Sequence, residues 1–162
     1  MTIRIGIGHD VHGFADGRAL IIGGITIPHT RGLAGHSDAD VLIHAIVDAL
    51  LGAANLGDIG SHFPSSDPRW KGAPSTDFLT YTRDLLAEHG WRVGNIDAVI
   101  VAELPRMAPH IPLMRAHLAE TLRISQDQIS LKATTTDGLG FTGREEGIGC
   151  SAVALIEHHA DT

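Results

Sequence analysis

A chain of 162 residues with 43% hydrophobic content and a formal charge of −7 suits one globular domain, large enough to bury a core without disulfide or metal staples. The 12 lysines and arginines are scattered, which excludes the basic footprint that nucleic-acid or membrane-surface binding requires, so any anionic ligand must be held by a local constellation. One cysteine, Cys150, excludes an internal disulfide and every cysteine-rich zinc pattern; it reads as a small core residue and leaves His, Asp and Glu as the available metal ligands.

The N-terminal MTIRIGIGHD is too short in apolar run for a signal peptide, and the longest apolar segment, 41–57, is interrupted by His44 and Asp48. The expectation is a soluble, cytoplasmic protein. Ile3, Ile5 and Ile7 recur at period two and predict a buried strand over 3 to about 12, with Asp10 and His12 on one face and His9 on the other. ALIIGGITIP (19–28) places Gly-Gly between two β-branched runs and predicts a tight hairpin. HSDADVLIHAIVDALLGAANLG carries Ser37 as N-cap and Asp40 as an acidic first-turn residue, before Val41, Ile46, Leu50 and Ala53 at helical spacing. Residues 58–75, rich in Gly, Pro and Ser, predict a long irregular loop and a candidate lid. Helices follow over 76–89 and 110–123, and strands over 95–103, 128–135 and 148–157. This order implies an α+β domain over 1–162, a mixed sheet with helices on one face. His36, His89, His158 and His159 sit in sequence suited to the surface.

Three constellations carry chemistry. Asp10 and His12, about 7 Å apart along a strand, point the same way, and the helix offers His44 on the same side as Asp40 and Asp48. Asp-His-His is the number of protein ligands a catalytic zinc keeps when one position stays open. The alternative is a pair of hydrogen-bonded core histidines with Asp10 capping a turn. Asp40 reads either as an acceptor for a ligand histidine or as an exposed carboxylate at a helix N-terminus. TTTDGLGFTGREEG (134–147) contains Gly138, Gly140 and Gly143 in G-x-G-x-x-G spacing, but a strand rather than a βαβ helix follows, which rejects a dinucleotide fingerprint. What remains is a hydroxyl-rich loop with Arg144 that suits phosphate oxygens, or an ordinary polar turn. AELPRMAPHIP (102–112) leaves a strand with Pro105 and Pro109 bracketing a rigid loop, whose backbone can read a base edge or simply connect.

DVH (10–12), GLAGHSDADVLIHA (32–45), LGDIGSHFP (56–64), PRMAPHIPLMR (105–115) and KATTTDGLGFTGREEGI (132–148) together resemble the 2-C-methyl-D-erythritol 2,4-cyclodiphosphate synthase family over essentially the whole chain. The resemblance implies a homotrimer with active sites between subunits. It implies Zn²⁺, or another divalent cation, at Asp10, His12 and His44, and Mg²⁺ or Mn²⁺ on the substrate diphosphate. It places His36 and Ser37 on phosphate, Asp58, Ile59, Gly60, Phe63, Pro64, Ser65, Ser66 and Asp67 along the substrate cleft, and Ala102, Glu103, Leu104, Pro105, Arg106, Met107 and Ala108 around cytosine. Thr134, Thr135, Thr136, Asp137, Phe141 and Arg144 match the remaining phosphate-side positions, with His36 and Thr135 donating to charge-bearing oxygens during reaction. The implied substrate is a cytidine diphosphate derivative cyclised with release of CMP, and family trimers can hold an isoprenoid diphosphate in an axial channel near the Arg144 segment. His9 stands where relatives often carry an apolar aromatic residue, Ser65 where an acid is common, and Asp137 where glutamate is common. Both reacting groups are anionic, so the chemistry calls for metals and positioning rather than a covalent nucleophile.

Overall fold

In a computed structural model that describes residues 1–158, the chain forms β1 (Thr2–Ala15), β2 (Leu20–Ile22), β3 (Ile25–Ile27), β4 (Gly32–Leu33), α1 (Val41–Ala54), α2 (Ile59–His62), α3 (Ser75–Glu88), β5 (Trp91–Val101), α4 (Ile111–Leu122), β6 (Ile129–Thr134), α5 (Gly140–Gly143) and β7 (Gly147–His158). The predicted His159 lies outside the described residues. Five strands make one sheet in the order β4-β1-β7-β5-β6. All neighbours are antiparallel except β5 and β6, so the sheet is mixed as expected. The β2–β3 hairpin stands apart and turns on Gly23 and Gly24, both at positive φ (62° and 73°), the backbone that a two-residue turn requires and that glycine supplies.

Helices α1, α3 and α4 cover one face of the five-stranded sheet. Helix α1 is central: every residue except Asp48 and Gly52 is buried, so it is a helix clad in protein all round rather than a surface helix with one apolar stripe. Its apolar run therefore says little about which side faces the sheet. β1 settles that. Arg4, Gly6, Gly8, Asp10 and His12 share the helix-facing side, and a Cβ at Gly6 or Gly8 would lie 2.0 Å from the Ala49 carbonyl oxygen or 1.9 Å from that of Ala45. Two side-chain-free positions let the α1 backbone rest directly on the strand.

The outward side of β1 corrects a sequence expectation. Ile3, Ile5 and Ile7 are not core residues; they are 56%, 72% and 74% exposed, and with Val11 and Val153 form an apolar surface on the sheet face that no helix covers. Period two located the strand, but the inner face was the glycine face, and alternation alone cannot tell a core from an uncovered apolar surface.

The start of α1 also differs. Asp40, not Ser37, is the N-cap: its Oδ1 accepts from the Ile43 N–H at 3.1 Å and the Gly23 N–H at 2.9 Å, and its Oδ2 from the Gly24 N–H at 2.7 Å. Asp40 is fully buried rather than exposed, because the hairpin turn supplies two of the donors that water would otherwise replace. Burial pushes its carboxyl up to about 6 against the pull of these three N–H groups.

Residues 58–75 are more ordered than an irregular lid. They contain α2 and a short 3₁₀ turn at Pro68–Trp70, and are pinned by aromatic packing: the Phe63 ring stacks on Phe78 of α3 at 4.3 Å, with Trp70 edge-on to both. The remaining predicted helices and strands fall within a few residues of their expected limits, the largest shift being β5, which starts at Trp91 and carries a bulge between Val93 and Asn95. The glycine-rich segment after β6 makes one helical turn, α5, and runs into β7, leaving no helix for a dinucleotide site. Cys150 is buried on β7 as expected. No helix among the described residues is long and apolar enough to cross a membrane.

Candidate active site

Where β1 passes the first turn of α1, Asp10, His12 and His44 bring three ligand atoms together. Asp10 Oδ2 lies 2.8 Å from His12 Nε2 and 3.0 Å from His44 Nδ1, and the two imidazole nitrogens are 3.1 Å apart. Their hydrogen-bond partners fix the tautomers. His12 Nδ1 donates to the Ala34 carbonyl at 2.7 Å, which leaves Nε2 with its lone pair facing inward. Ser75 Oγ donates to Asp38 in a very short hydrogen bond and so accepts from His44 Nε2 at 2.9 Å, leaving the His44 Nδ1 lone pair facing the same point. Ser37 Oγ lies 3.2 Å from the same His44 nitrogen.

With both imidazoles neutral, two lone pairs and a carboxylate oxygen converge on one point, which suits a cation at its centre; without one, a proton on His12 Nε2 shared with Asp10 relieves the repulsion. The three spacings also fit a cation: ligands at about 2.0–2.1 Å around a tetrahedral Zn²⁺ lie roughly 3.3 Å from one another. The triad is therefore a candidate metal site, with the outward imidazole nitrogens held as metal-bound histidines usually are. Burial pushes the Asp10 carboxyl up, but hydrogen bonds and charge from His12 and His44 outweigh it and hold the group well below the usual carboxylate range. For His12 burial pulls down, and Asp10 beside it more than compensates, so its pKa is raised. Gly35 leaves room for the His12 ring, whose Cε1 would lie 3.2 Å from an added Cβ. His9 faces away, 2.9 Å from Ser151 Oγ, as strand parity predicts.

Beside the triad, His12, His36, Ser37, His44, Ile59, Gly60, Phe63, Ser65, Trp70 and Phe78 line a cavity of about 230 Å³. Asp58 borders it as N-cap of α2, in a reciprocal capping box with Ser61. Asp48, the half-buried residue of α1 one turn past His44, accepts from the Ile59 N–H at 2.7 Å and fixes this segment to α1. Pro64, Ser66 and Asp67 continue the segment after α2 without lining the cavity. The Asp67 carbonyl accepts from His36 Nε2 at 3.0 Å, while its carboxylate is engaged by Arg69.

A second cavity of about 230 Å³ lies beyond the ends of the parallel pair β5 and β6, lined by Ala102, Glu103, Pro105, Arg106, Met107, Ala108, Ala133, Thr134 and Thr135. Leu104 protrudes next to it. Thr136 and Asp137 form the turn after β6 and line neither cavity. Phe141 and Arg144 lie on and just after α5, also away from both; Arg144 pairs with Glu146 at 2.9 Å. Those predicted residues that do line a cavity thus fall into two groups whose cavities share no lining residue. A larger groove of about 570 Å³ at the other end of β5 contains none of them.

Sequence reasoning missed the supports. Asp38 and Ser75 orient His44, and no spacing links residues 37 positions apart. Gly6 and Gly8 do carry a sequence signal, since glycine twice in one face of a strand marks a close approach of backbone.

The YgbB family profile matches residues 3–157 of this chain. The chain is 59% identical over 154 residues to the 2-C-methyl-D-erythritol 2,4-cyclodiphosphate synthase of Pseudomonas aeruginosa strain UCBPP-PA14, covering 95% of this chain and 98% of that one. It is 58% identical over 155 residues to the enzyme of the same name from Geobacter sulfurreducens, covering 96% and 99%. Among solved structures, the CDP complex of IspF from Plasmodium falciparum superposes with a TM-score of 0.85 at 32% identity, covering 98% of this chain and 97% of that chain. The bifunctional IspDF of Campylobacter jejuni superposes with a TM-score of 0.94 at 40% identity over 98% of this chain; the chain spans 43% of that longer protein.

Proposed function

The chain belongs to the YgbB family, and from that premise we infer that it is an enzyme that cyclises 4-diphosphocytidyl-2-C-methyl-D-erythritol 2-phosphate to 2-C-methyl-D-erythritol 2,4-cyclodiphosphate, releasing CMP, in the non-mevalonate route to isoprenoids. The observation that carries this reading is the convergence of ligand atoms from Asp10, His12 and His44, with the outward imidazole nitrogens tied to Ala34 and Ser75, at the wall of a cavity bordered by His36 and Ser37.

In the reaction, an oxygen of the 2-phosphate attacks the β-phosphorus, and the bond from that phosphorus to the oxygen it shares with the α-phosphate breaks. The bridging oxygen leaves with CMP, and no proton needs to move from an alcohol. The obstacles are repulsion between anions and the demand for an in-line approach. Asp10, His12 and His44 would hold a Zn²⁺ or another divalent ion, which, with Mg²⁺ or Mn²⁺ accompanying the substrate diphosphate, would supply Lewis-acid stabilisation of the phosphoryl oxygens. His36 and Ser37 donate to phosphate oxygens from the segment before α1, and Thr135 donates from the turn after β6. Asp58, Ile59 and Gly60, with Phe63 to Asp67, shape the cleft around the methylerythritol unit. The loop Ala102 to Ala108 takes the cytosine, and Thr134 to Asp137 the neighbouring phosphates.

Two separate cavities in one chain support an active site assembled between subunits, the metal cavity of one facing the nucleotide cavity of the next. The uncovered apolar face of β1 and β7 supports the homotrimer that would bring them together. Its Ile and Val side chains suit the core of such an assembly and an axial channel for an isoprenoid diphosphate, with Phe141 and Arg144 near its mouth. The cytoplasm, where soluble nucleotide substrates are made, is the expected compartment.

The test is a phosphorus spectrum of the products. Metal-loaded protein should give the cyclic diphosphate and CMP, and both should disappear with a chelator or with His44→Ala. Recovery of unchanged substrate, or of an acyclic hydrolysis product, from freshly loaded wild-type protein would refute the assignment.

A further inference from the structure

We propose that Glu103 is a positioning residue whose carboxylate latches together the two walls of the nucleotide cavity, as a hydrogen-bond acceptor and not as a charge. The proposal rests on the nucleotide reading of that cavity given above.

The two walls leave the sheet side by side. The parallel pairing of β5 and β6 ends at Val101 and Thr134, and one further bond, from the Ala102 N–H to the Thr134 carbonyl at 3.0 Å, carries the ladder one step on. Past that point one chain turns into the Pro105 loop and the other into the Thr135 to Leu139 turn. The Glu103 side chain spans the gap. Its Oε1 accepts from the Thr136 N–H at 2.9 Å and the Gly138 N–H at 3.3 Å. The Thr136 hydroxyl lies 3.3 Å from the same oxygen and has its single proton nearer the Leu139 carbonyl, 2.6 Å away.

The turn is built to present those donors. Asp137 and Gly138 are both in the left-handed region, at φ 53° and 77°, so the N–H groups on either side of Asp137 point to one side, a concave arrangement that attracts an anion. Here an anion from the opposite wall fills it. Thr136 Oγ1 also meets Thr142 Oγ1 at 2.9 Å, and Thr142 is buried, so the turn is tied below to α5 as well as across to Glu103. With the latch closed, Thr134 and Thr135 stand at a fixed distance from Pro105 to Ala108. Without it, the Ala102 bond and the sheet beneath are left to hold the walls in register.

A carboxylate beside a phosphate-binding cavity is a Coulombic liability. One oxygen does the bridging, and an amide oxygen at the same place can accept the same two N–H groups. The charge is therefore dispensable and the reach is not.

CDP binding to the metal-loaded protein, followed by titration calorimetry together with kcat and KM, separates these contributions in three variants. Glu103→Ala removes the acceptor, Glu103→Asp keeps the charge but falls a methylene short, and Glu103→Gln keeps the acceptor without the charge. Ala and Asp should weaken CDP about 10- to 100-fold, the range expected for losing two ordinary hydrogen bonds, and raise KM by more than they lower kcat. Gln should restore CDP affinity to within about threefold of wild type. If Ala does not fold, the Asp and Gln pair still decides. Wild-type affinity in both Ala and Asp would overturn the latch, and a Gln variant as weak as Asp would show that charge, not acceptance, is what matters. Absence of CDP binding to wild-type protein would instead overturn the nucleotide reading beneath it.

Discussion

Gly8→Ala tests whether close backbone approach sets the metal triad. The added Cβ would lie 1.9 Å from the Ala45 carbonyl oxygen and 2.8 Å from the Ala49 nitrogen, so the first contact falls about 1.1 Å short of the 3.0 Å floor for real Cβ contacts. Both offending atoms are helix backbone, so no side chain can rotate away; α1 must move. Overpacking in a core costs about 1–3 kcal/mol, and a clash against backbone belongs at the upper end. For a chain of this size about 3 kcal/mol corresponds to a melting shift of roughly 6–12 °C. Ala45 follows His44 directly, so a helix displaced by about 1 Å takes His44 Nδ1 from 3.0 Å to roughly 4 Å from Asp10 Oδ2, beyond the few tenths of an ångström that metal–ligand distances tolerate. Melting of chelated protein should show the stability loss, and metal analysis after dialysis against substoichiometric chelator should show an additional loss of bound metal. Gly52→Ala on the same helix, where an added Cβ meets nothing within 4 Å, should raise the melting temperature, by the roughly 0.5–1 kcal/mol that alanine gains over glycine in a helix. A Gly8→Ala protein with wild-type melting and metal content would refute the reasoning.

Asp40→Ala leaves the buried N–H groups of Gly23 and Ile43 and the partly buried one of Gly24 without their acceptor, and should cost about 3 kcal/mol or more in urea unfolding; a loss below about 1 kcal/mol would show that the carboxylate does not join hairpin to helix. Because folding raises the Asp40 pKa from 3.8 to about 6, the folded state holds this proton more tightly, and its contribution to stability is present below about pH 4 and lost as pH rises through 6. The stability advantage of wild type over Asp40→Asn should therefore shrink between pH 4.5 and pH 7, measured on chelated protein; an advantage that grows over that interval would contradict the assignment. Burial pushes the Cys150 thiol up, with Asp40 and Asp10 adding to it, so a disulfide reagent should label it only at the rate of unfolding. Rapid stoichiometric labelling of native protein would show that β7 is open at that point.

Local pattern made the elements legible and left their surroundings dark. Val41, Ile46 and Leu50 announce a helix, but α1 is buried on every side, and nothing in its own sequence says that Gly6 and Gly8 are what it lies on. Ser37 looked like the cap because hydroxyls commonly serve there, yet Asp40 won through two donors from a hairpin 16 and 17 residues upstream. At the site, strand parity paired Asp10 with His12 and set His9 aside, which is local geometry. The third ligand, His44, comes from a helix 32 positions beyond His12, and its tautomer from Ser75 and Asp38 across a third segment. Those contacts depend on tertiary packing, which periodicity does not encode.

One strand shows how much a period-two pattern can carry once the packing is known. The inward side of β1 runs Arg4, Gly6, Gly8, Asp10 and His12, the outward side Ile3, Ile5, Ile7, His9 and Val11. Inward, absence of side chains over two positions draws α1 down, and the next two positions use the helix so placed to complete a ligand set. Outward, the same five steps expose isoleucines that no helix among the described residues covers. A lone chain gains nothing from that surface, which at roughly 25 cal/mol per Å² of apolar area would contribute several kcal/mol once covered. In the proposed trimer the two sides act on one outcome. The outward face fixes where the neighbouring subunit sits, and the inward face fixes where the metal sits. Polar substitution at Ile5 or Ile7 would then impair cyclisation through assembly while leaving Asp10, His12 and His44 in place.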